Sequence, residues 1–244
     1  MNPDAYVEMA DTEARHWWFV ARRSILTSLI SGLDLPPAAR ILEVGSGTGG
    51  NLQMLSSFGK VSAMEMGASA RSIAARKTGG RFDIRAGLCP TEIPFAGEEF
   101  DLICLFDVLE HIEADVETLV ALKSLLAAGG RVLITVPAYQ WLWSEHDEFL
   151  HHKRRYSAAD LRRKISSADL RLVRMSYFNT LLFPLAAAVR LKDRLLRRRE
   201  PSGTSTPAAP INGLLRATFS AERFLLRALD LPFGVSLLAV LQAP

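Results

Sequence analysis

Cysteine is scarce, with only Cys89 and Cys104 in 244 residues. Two cysteines supply neither a disulfide framework nor a thiolate metal cluster. A reducing cytoplasm is therefore expected, and Cys104, inside an apolar run, reads as a small buried residue. Long apolar runs are missing too. The longest, Thr180 to Val189, is half of the roughly 20 residues that cross a bilayer. Met1-Asn2-Pro3-Asp4 carries no basic region leading into an apolar core, so no signal peptide is expected. What remains is a globular composition, 49% hydrophobic and 23% charged, suited to one large α/β domain with additions. The net charge of +3 hides an asymmetry. Residues 151–200 hold 14 Lys+Arg against 4 Asp+Glu, so the rest of the chain is acidic. Such a block is either a solvated face or a surface for an anionic partner.

The most informative stretch is Arg40 to Gly50. Ile41, Leu42 and Val44 read as a buried parallel strand. Gly45, Gly47, Gly49 and Gly50 form a turn where backbone approaches a ligand, and Asn51 to Leu55 opens a helix facing the same ligand. Two templates fit. Gly45-x-Gly47-x-x-Gly50 satisfies the dinucleotide pattern G-x-G-x-x-G. Glu43-x-Gly45-x-Gly47-x-Gly49 satisfies E/D-x-G-x-G-x-G, which resembles motif I of class I S-adenosylmethionine (SAM)-dependent methyltransferases. Glu43 favours the second. A carboxylate there repels a pyrophosphate but suits SAM, which carries an ammonium and a sulfonium and no phosphate.

Lys60 to Glu65 reads as strand two. Glu65 lies 20 residues after Gly45, where a doubly wound fold places an acid on ribose hydroxyls. Ala68 to Lys77 is a helix and Arg81 to Arg85 a short strand three. The loop Ala86 to Phe95 follows, with Leu88 or Cys89 where similar methyltransferases often carry an acid for the adenine amino group. Phe100 to Leu105 is buried strand four, ending in Asp107-Val108-Leu109-Glu110-His111. This resembles the F-D-L…D-V-L-E-H segment of small-molecule and lipid methyltransferases. The resemblance places Asp107 and Val108 beside the methionine moiety and leaves His111 as a helix cap or a catalytic group. Val116 to Ala127 is read as a helix ended by Gly129-Gly130, and Arg131 to Pro137 as strand five.

The loop from Tyr139 to Tyr156 crowds Trp141, Trp143, His146, Asp147, His151, His152, Lys153, Arg154 and Arg155 together. The histidine spacing fits no standard metal site, and the arginines disfavour a cation, so no metal is expected. General-base chemistry fits better, with His146 first, oriented by Asp147, and His151 and His152 behind it. Lys153, Arg154 and Arg155 suit a phosphate or carboxylate on the acceptor. A charged surface loop is the plain alternative, although it has little use for two tryptophans. Ser157 to Ala168 reads as a helix N-capped by Ser157. Leu170 to Tyr177 is strand six, and Leu231 to Leu241 resembles the antiparallel strand seven of the methyltransferase sheet.

Two additions flank this core. Residues 1–35, with His16-Trp17-Trp18-Phe19 and Arg22-Arg23, read as a helix packed on the domain or as a lid over a ligand. Residues 178–230 form an insertion between strands six and seven. It contains an apolar-basic helix over residues 181–199, a Pro/Ser/Thr/Ala linker over residues 200–210, and a second apolar-basic helix over residues 214–229. A basic amphipathic pair beside an active site suits an enzyme lying on an anionic membrane surface; a cap on the protein's own core and a dimer interface are the alternatives.

Taken together, the chain resembles a bacterial group of type-11-like class I SAM methyltransferases. H-W-W-F-x-x-R-R, W-S-E-H-D, H-x-R-R-Y and S-Y-F-N-x-L-L-F-P carry the resemblance outside the core motifs. It implies a Rossmann-like α/β fold with a doubly wound seven-stranded sheet of order 3-2-1-4-5-7-6, strand seven antiparallel. It implies SAM held by Glu43, Gly45, Ser46, Gly47, Gly49, Glu65, Met66, Leu88, Asp107 and Val108. The acceptor is assigned to Trp17, Trp18, Arg22, Trp143, Arg154, Arg155 and Tyr156. The expected reaction is methyl transfer to an O, N or C nucleophile of a small or lipid-linked acceptor, in the cytoplasm or on the inner face of the cytoplasmic membrane, with no nucleic acid. A nicotinamide-dependent oxidoreductase and a non-catalytic SAM-fold subunit that recruits a partner to membranes are the rival readings.

Overall fold

The computed structural model describes residues 3–195 and 206–244. Residues 200–205 of the expected linker, and residues 196–199 of the helix before it, lie outside the described residues. In chain order the elements are α1 (Pro3–Thr12), α2 (Trp17–Ile30), β1 (Ala39–Val44), α3 (Leu52–Leu55), β2 (Gly59–Glu65), α4 (Ala68–Thr78), β3 (Asp83–Ala86), β4 (Phe100–Phe106), α5 (Asp115–Lys123), β5 (Leu126–Pro137), α6 (Glu145–Phe149), α7 (Ala158–Ser167), β6 (Arg171–Phe178), α8 (Phe183–Leu195), α9 (Ala209–Leu225) and β7 (Ser236–Gln242).

The strands form one seven-stranded sheet of order 3-2-1-4-5-7-6, as the sequence predicts. β1 pairs in parallel with β2 and β4, while β7 runs antiparallel between β5 and β6. Central strands are apolar on both faces because helices cover both. Leu42, Val44, Ile103 and Leu105 join one core cluster, and Ile41, Leu102 and Cys104 join the other. Glu43 interrupts this pattern. Its Cα neighbours across the ladder are Ala63 and Cys104, two small residues that leave room for a carboxylate.

Local chemistry sets several boundaries. Ser157 caps α7 by accepting from the Asp160 N–H at 3.1 Å, and Leu161 and Ile165 bury its apolar stripe. Gly79, left-handed at φ +63°, ends α4. The helix expected over Val116–Ala127 stops at Lys123, and Gly129-Gly130 does not end it. The Phe100 N–H donates to the Leu125 carbonyl at 2.8 Å, and Leu126 pairs with Phe100, which draws this segment into β5. The glycines then absorb a bulge between that pair and Leu102↔Arg131. The N-terminal region is two helices rather than one, with His16 capping α2 through Nδ1. β7 begins at Ser236, later than Leu231.

α9 docks on α2. Trp17 meets Phe219 edge to face at 6.0 Å, and Asn212 accepts from the Trp17 N–H at 2.8 Å. The buried Glu222 carboxylate accepts from the N–H groups of Asn179 and Leu181, tying α9 to the end of β6. One face of α9 therefore covers the protein's own core. The other face exposes Ile211, Leu214 and Phe224, and α8 exposes Leu185, Val189 and Leu191.

Phe219 is fully buried in the α2–α9 seam. Phe219→Ala should cost about 3–5 kcal/mol in urea unfolding; a loss below about 1 kcal/mol would mean that α9 is not docked as described.

Candidate active site

The carboxyl ends of β1, β2 and β4 open onto a cavity of about 920 Å³. This edge is where open α/β sheets bind ligands. The β1 turn is shaped by need. Gly45 has φ +67°, and a Cβ there would lie 2.7 Å from Val108 Cγ2. Gly47 is also left-handed and donates its N–H to Glu65 at 3.0 Å. The second carboxylate oxygen of Glu65 accepts from the Gly67 N–H at 2.7 Å and from the Tyr6 hydroxyl.

Glu43 is buried beneath the turn. One oxygen accepts from Asn51 at 2.7 Å; the other has no hydrogen-bond donor. Burial pushes its carboxyl up to about 7, against the opposing effects of Asn51 and Arg22. A buried carboxylate with a bare oxygen beneath a glycine turn fits a cationic ligand group, as the ammonium of SAM requires.

The N-terminal helices wall off this half of the cavity. Arg22 of α2 pairs with Asp107 and stacks 4.4 Å over Trp18. Glu13 pairs with Lys77 and accepts from the Thr48 hydroxyl at 2.8 Å. Its carboxylate lies so close to Gly50 that any side chain there would collide with it. Trp17, Trp18 and Arg22, assigned to the acceptor from the sequence, line the cavity together with Tyr6, Glu13 and His16. Glu13 was missed because a single acid in a helical stretch carries no signal of its own.

Ser46, Met66, Leu88, Asp107 and Val108 also reach the cavity. Gly49 does not line it. Its positive φ and its contacts with Ala74 and Leu52 give it a packing role between turn and helix.

On the far side the loop after β5 folds back. Asp147 is buried, and its carboxylate takes the N–H of Ser144, the Arg155 guanidinium and His152 Nδ1 at 2.9 Å. These partners hold its carboxyl well below the usual range despite burial. The expected Asp147–His146 orientation is thereby corrected, since the Asp147 hydrogen bonds go to His152. His146 lines the cavity, and burial lowers it to about 4. His151 also borders the cavity but is exposed.

Three acceptor assignments do not reach the cavity lining. Tyr156 is fully buried and donates to Asp115 at 2.9 Å, so it is a core residue. Arg154 pairs with the same Asp115 at 2.7 Å. Trp143 turns toward Glu148. Arg155 lines the cavity, with its guanidinium engaged by Asp147. In their place stand Glu110, His111 and the apolar wall of Leu182, Leu185, Ala186 and Val189 from α8 and the turn before it.

The chain matches a family model described as a methyltransferase domain over residues 14–179. Solved structures share the fold. An S-adenosylmethionine-dependent methyltransferase from Clostridium acetobutylicum is 11% identical with a TM-score of 0.59, covering 91% of each chain. The glycopeptide N-methyltransferase MtfA is 12% identical with a TM-score of 0.57, covering 92% of this chain and 90% of that one. Phosphoethanolamine N-methyltransferase 2 of Haemonchus contortus, in complex with SAM, is 14% identical with a TM-score of 0.59, covering 90% of this chain and 52% of that longer one. A search of curated proteins returns no match. The chain belongs to the methyltransferase domain family and has the fold of class I SAM-dependent methyltransferases.

Glu43 gives this site a pH signature. Its raised folded value means that ionising it costs stability progressively as pH rises from about 4.5 to about 7. Glu43→Gln, which keeps an acceptor for Asn51, should remove that cost. Its unfolding free energy relative to wild type should rise across this window by up to about 3 kcal/mol, while its SAM affinity falls. A flat difference would show that Glu43 does not titrate there.

Proposed function

We propose that the acceptor is an amphiphile, either small or lipid-linked, whose polar end enters beside Glu110, His111 and His152 while its apolar part lies along α8. The observation that carries this reading is the continuity of the cavity. Its lining includes Gly45 and Asp107 at the sheet edge and the apolar Leu182, Leu185 and Val189 at the other side. Leu185 and Val189 are both solvent-exposed, so the apolar wall is open to solvent. SAM bound over the β1 turn supplies an electrophilic methyl group. Glu43, Gly45, Ser46, Gly47, Glu65, Met66, Leu88, Asp107 and Val108 hold it there. The Arg22–Asp107 pair fixes the boundary between the two halves, and Trp18 excludes water around it. The histidine–carboxylate cluster around His152 promotes loss of the acceptor's proton.

Residues 1–35 act in this reading as the lid, and α8 and α9 of the 178–230 insertion as the face that meets an anionic membrane surface. No described helix is long and apolar enough to cross a membrane. The exposed apolar side chains of α8 lie beside Arg190 and Lys192, the pattern of a helix lying in an interface.

The test is incubation of the protein with isotopically labelled SAM and extracts of lipids and small molecules, followed by mass spectrometry. Label in an amphiphile is expected. Leu185→Asp and Val189→Asp should lower kcat/KM for that acceptor at least about tenfold, equivalent to about 1.4 kcal/mol of lost transition-state binding, with SAM affinity unchanged. Label confined to strictly water-soluble products, or variants without effect, would overturn the acceptor assignment. Flotation with anionic liposomes tests the surface separately, and a full chain that does not float would remove the membrane from the reading.

A further inference from the structure

Glu110, His111 and His152 each present one ligand atom, and the three atoms lie within 4.8 Å of one another. They come from separate parts of the chain. Glu110 and His111 belong to the single 3-10 turn after β4 (Leu109–His111), and His152 to the loop after α6. The Lys153 N–H donates to the Glu110 carbonyl at 2.8 Å and holds the two segments together.

The hydrogen bonds leave the right lone pairs bare. His152 Nδ1 is engaged by Asp147, which turns Nε2 toward Glu110 Oε1, 3.9 Å away. His111 bonds the backbone of His151 and stands edge-on to the His152 ring at 4.6 Å. Glu110 is completely buried, and neither of its carboxylate oxygens has a hydrogen-bond partner. The nearby guanidinium groups are already matched, Arg22 by Asp107 and Arg155 by Asp147. Among the described residues, the one potentially cationic group paired with Glu110 is therefore the His152 imidazole. The arginines that argue against a cation at the sequence level are neutralised in the fold.

We propose that Glu110, His111 and His152 bind one divalent first-row transition cation of the zinc class, with Asp147 as the positioning residue for His152. Two imidazoles and a carboxylate with a remaining open position are a donor set such ions take in catalytic sites. A carboxylate behind the ligating histidine is the usual outer support. Ligands of one such ion lie about 3–4 Å apart, so loading contracts the trio by about an ångström. The open position faces the acceptor half of the cavity. There the ion lowers the pKa of a coordinated acceptor hydroxyl, whose proton leaves to solvent. The oxygen lone pair then forms the bond to the methyl carbon while the carbon–sulfur bond breaks, its electrons staying on sulfur. This role rests on the methyl-transfer reading, whereas the site itself stands on geometry, so uptake is measured without turnover.

The experiment uses the full chain, treated with chelator and dialysed. Calorimetric titration with Zn²⁺ should give one site per chain. Glu110→Gln and His152→Ala should each weaken it at least about 100-fold, and Asp147→Asn about 10–100-fold, with S-adenosylhomocysteine binding retained as the check on folding. Wild type that takes up no Zn²⁺ overturns the proposal and leaves Glu110 as a protonated acid. Uptake that survives in folded Glu110→Gln and His152→Ala also overturns it. Co²⁺ in the wild type gives a reading independent of any variant. Ligand-field bands without thiolate charge transfer are expected, and a thiolate band would place the ion at a cysteine and sink the assignment.

Discussion

The pairing of Arg22 with Asp107 is the constraint on which the site depends. Asp107 follows β4 with a left-handed backbone, φ +57°, held by its N–H to the Thr135 carbonyl of β5. Arg22 comes from α2, far away in sequence, and both side chains are largely shielded. Such a pair gives little net stability, because desolvating both charges offsets much of their attraction. It gives position instead. Trp18 stacks on the guanidinium, and α2 is clamped by α9 through Phe219 and Asn212. The insertion that follows β6 thus sets how closely the N-terminal helices press on the glycine turn.

A second anchor answers it across the cavity. The Asp147 carboxylate binds a backbone donor at the start of α6, a guanidinium and an imidazole at once. A long loop without a strand of its own, as follows β5, ordinarily lacks definition. Here one buried acid replaces the missing ladder and fixes which ring nitrogen of His152 faces Glu110. Tyr156 closes the same loop by inserting into the core and meeting Asp115. Arg154, bound to that same acid, serves the loop's fold and not its ligand.

The parts legible in the sequence were those where one local requirement dominates. Glycines forced by positive φ and apolar strand runs announce themselves, so the strands and the ligand-facing turn were legible, while the sheet order came with the resemblance to class I methyltransferases. The acceptor half depended on pairings between distant segments. Asp147 chooses His152 over its neighbour His146 only because the chain turns back after α6. Glu110 sits beside a residue weighed as a helix cap, and nothing local marks it as buried with both oxygens unpaired. Tyr156 and Arg154 looked like ligand contacts because aromatic and basic residues cluster there, whereas Asp115 on a different helix claims both. The Gly129-Gly130 bulge failed for the same reason, since pairing with Phe100 overrode a helix-stop signal.

The two buried acids with unpaired oxygens define the chemistry more tightly than the fold does. Glu43 lies below the glycine turn and Glu110 on the other side of the Arg22–Asp107 boundary. Burial raises both carboxyls, Glu110 further in the presence of Asp107. A buried carboxyl of this kind stays protonated unless positive charge is brought beside it. Glu110 lines the cavity, whereas Glu43 lies beneath the glycine turn that borders it. In the proposed reading an ammonium answers Glu43, beside Asn51. Glu110 is grouped with the imidazoles of His111 and His152, and the proposed cation site rests on that grouping.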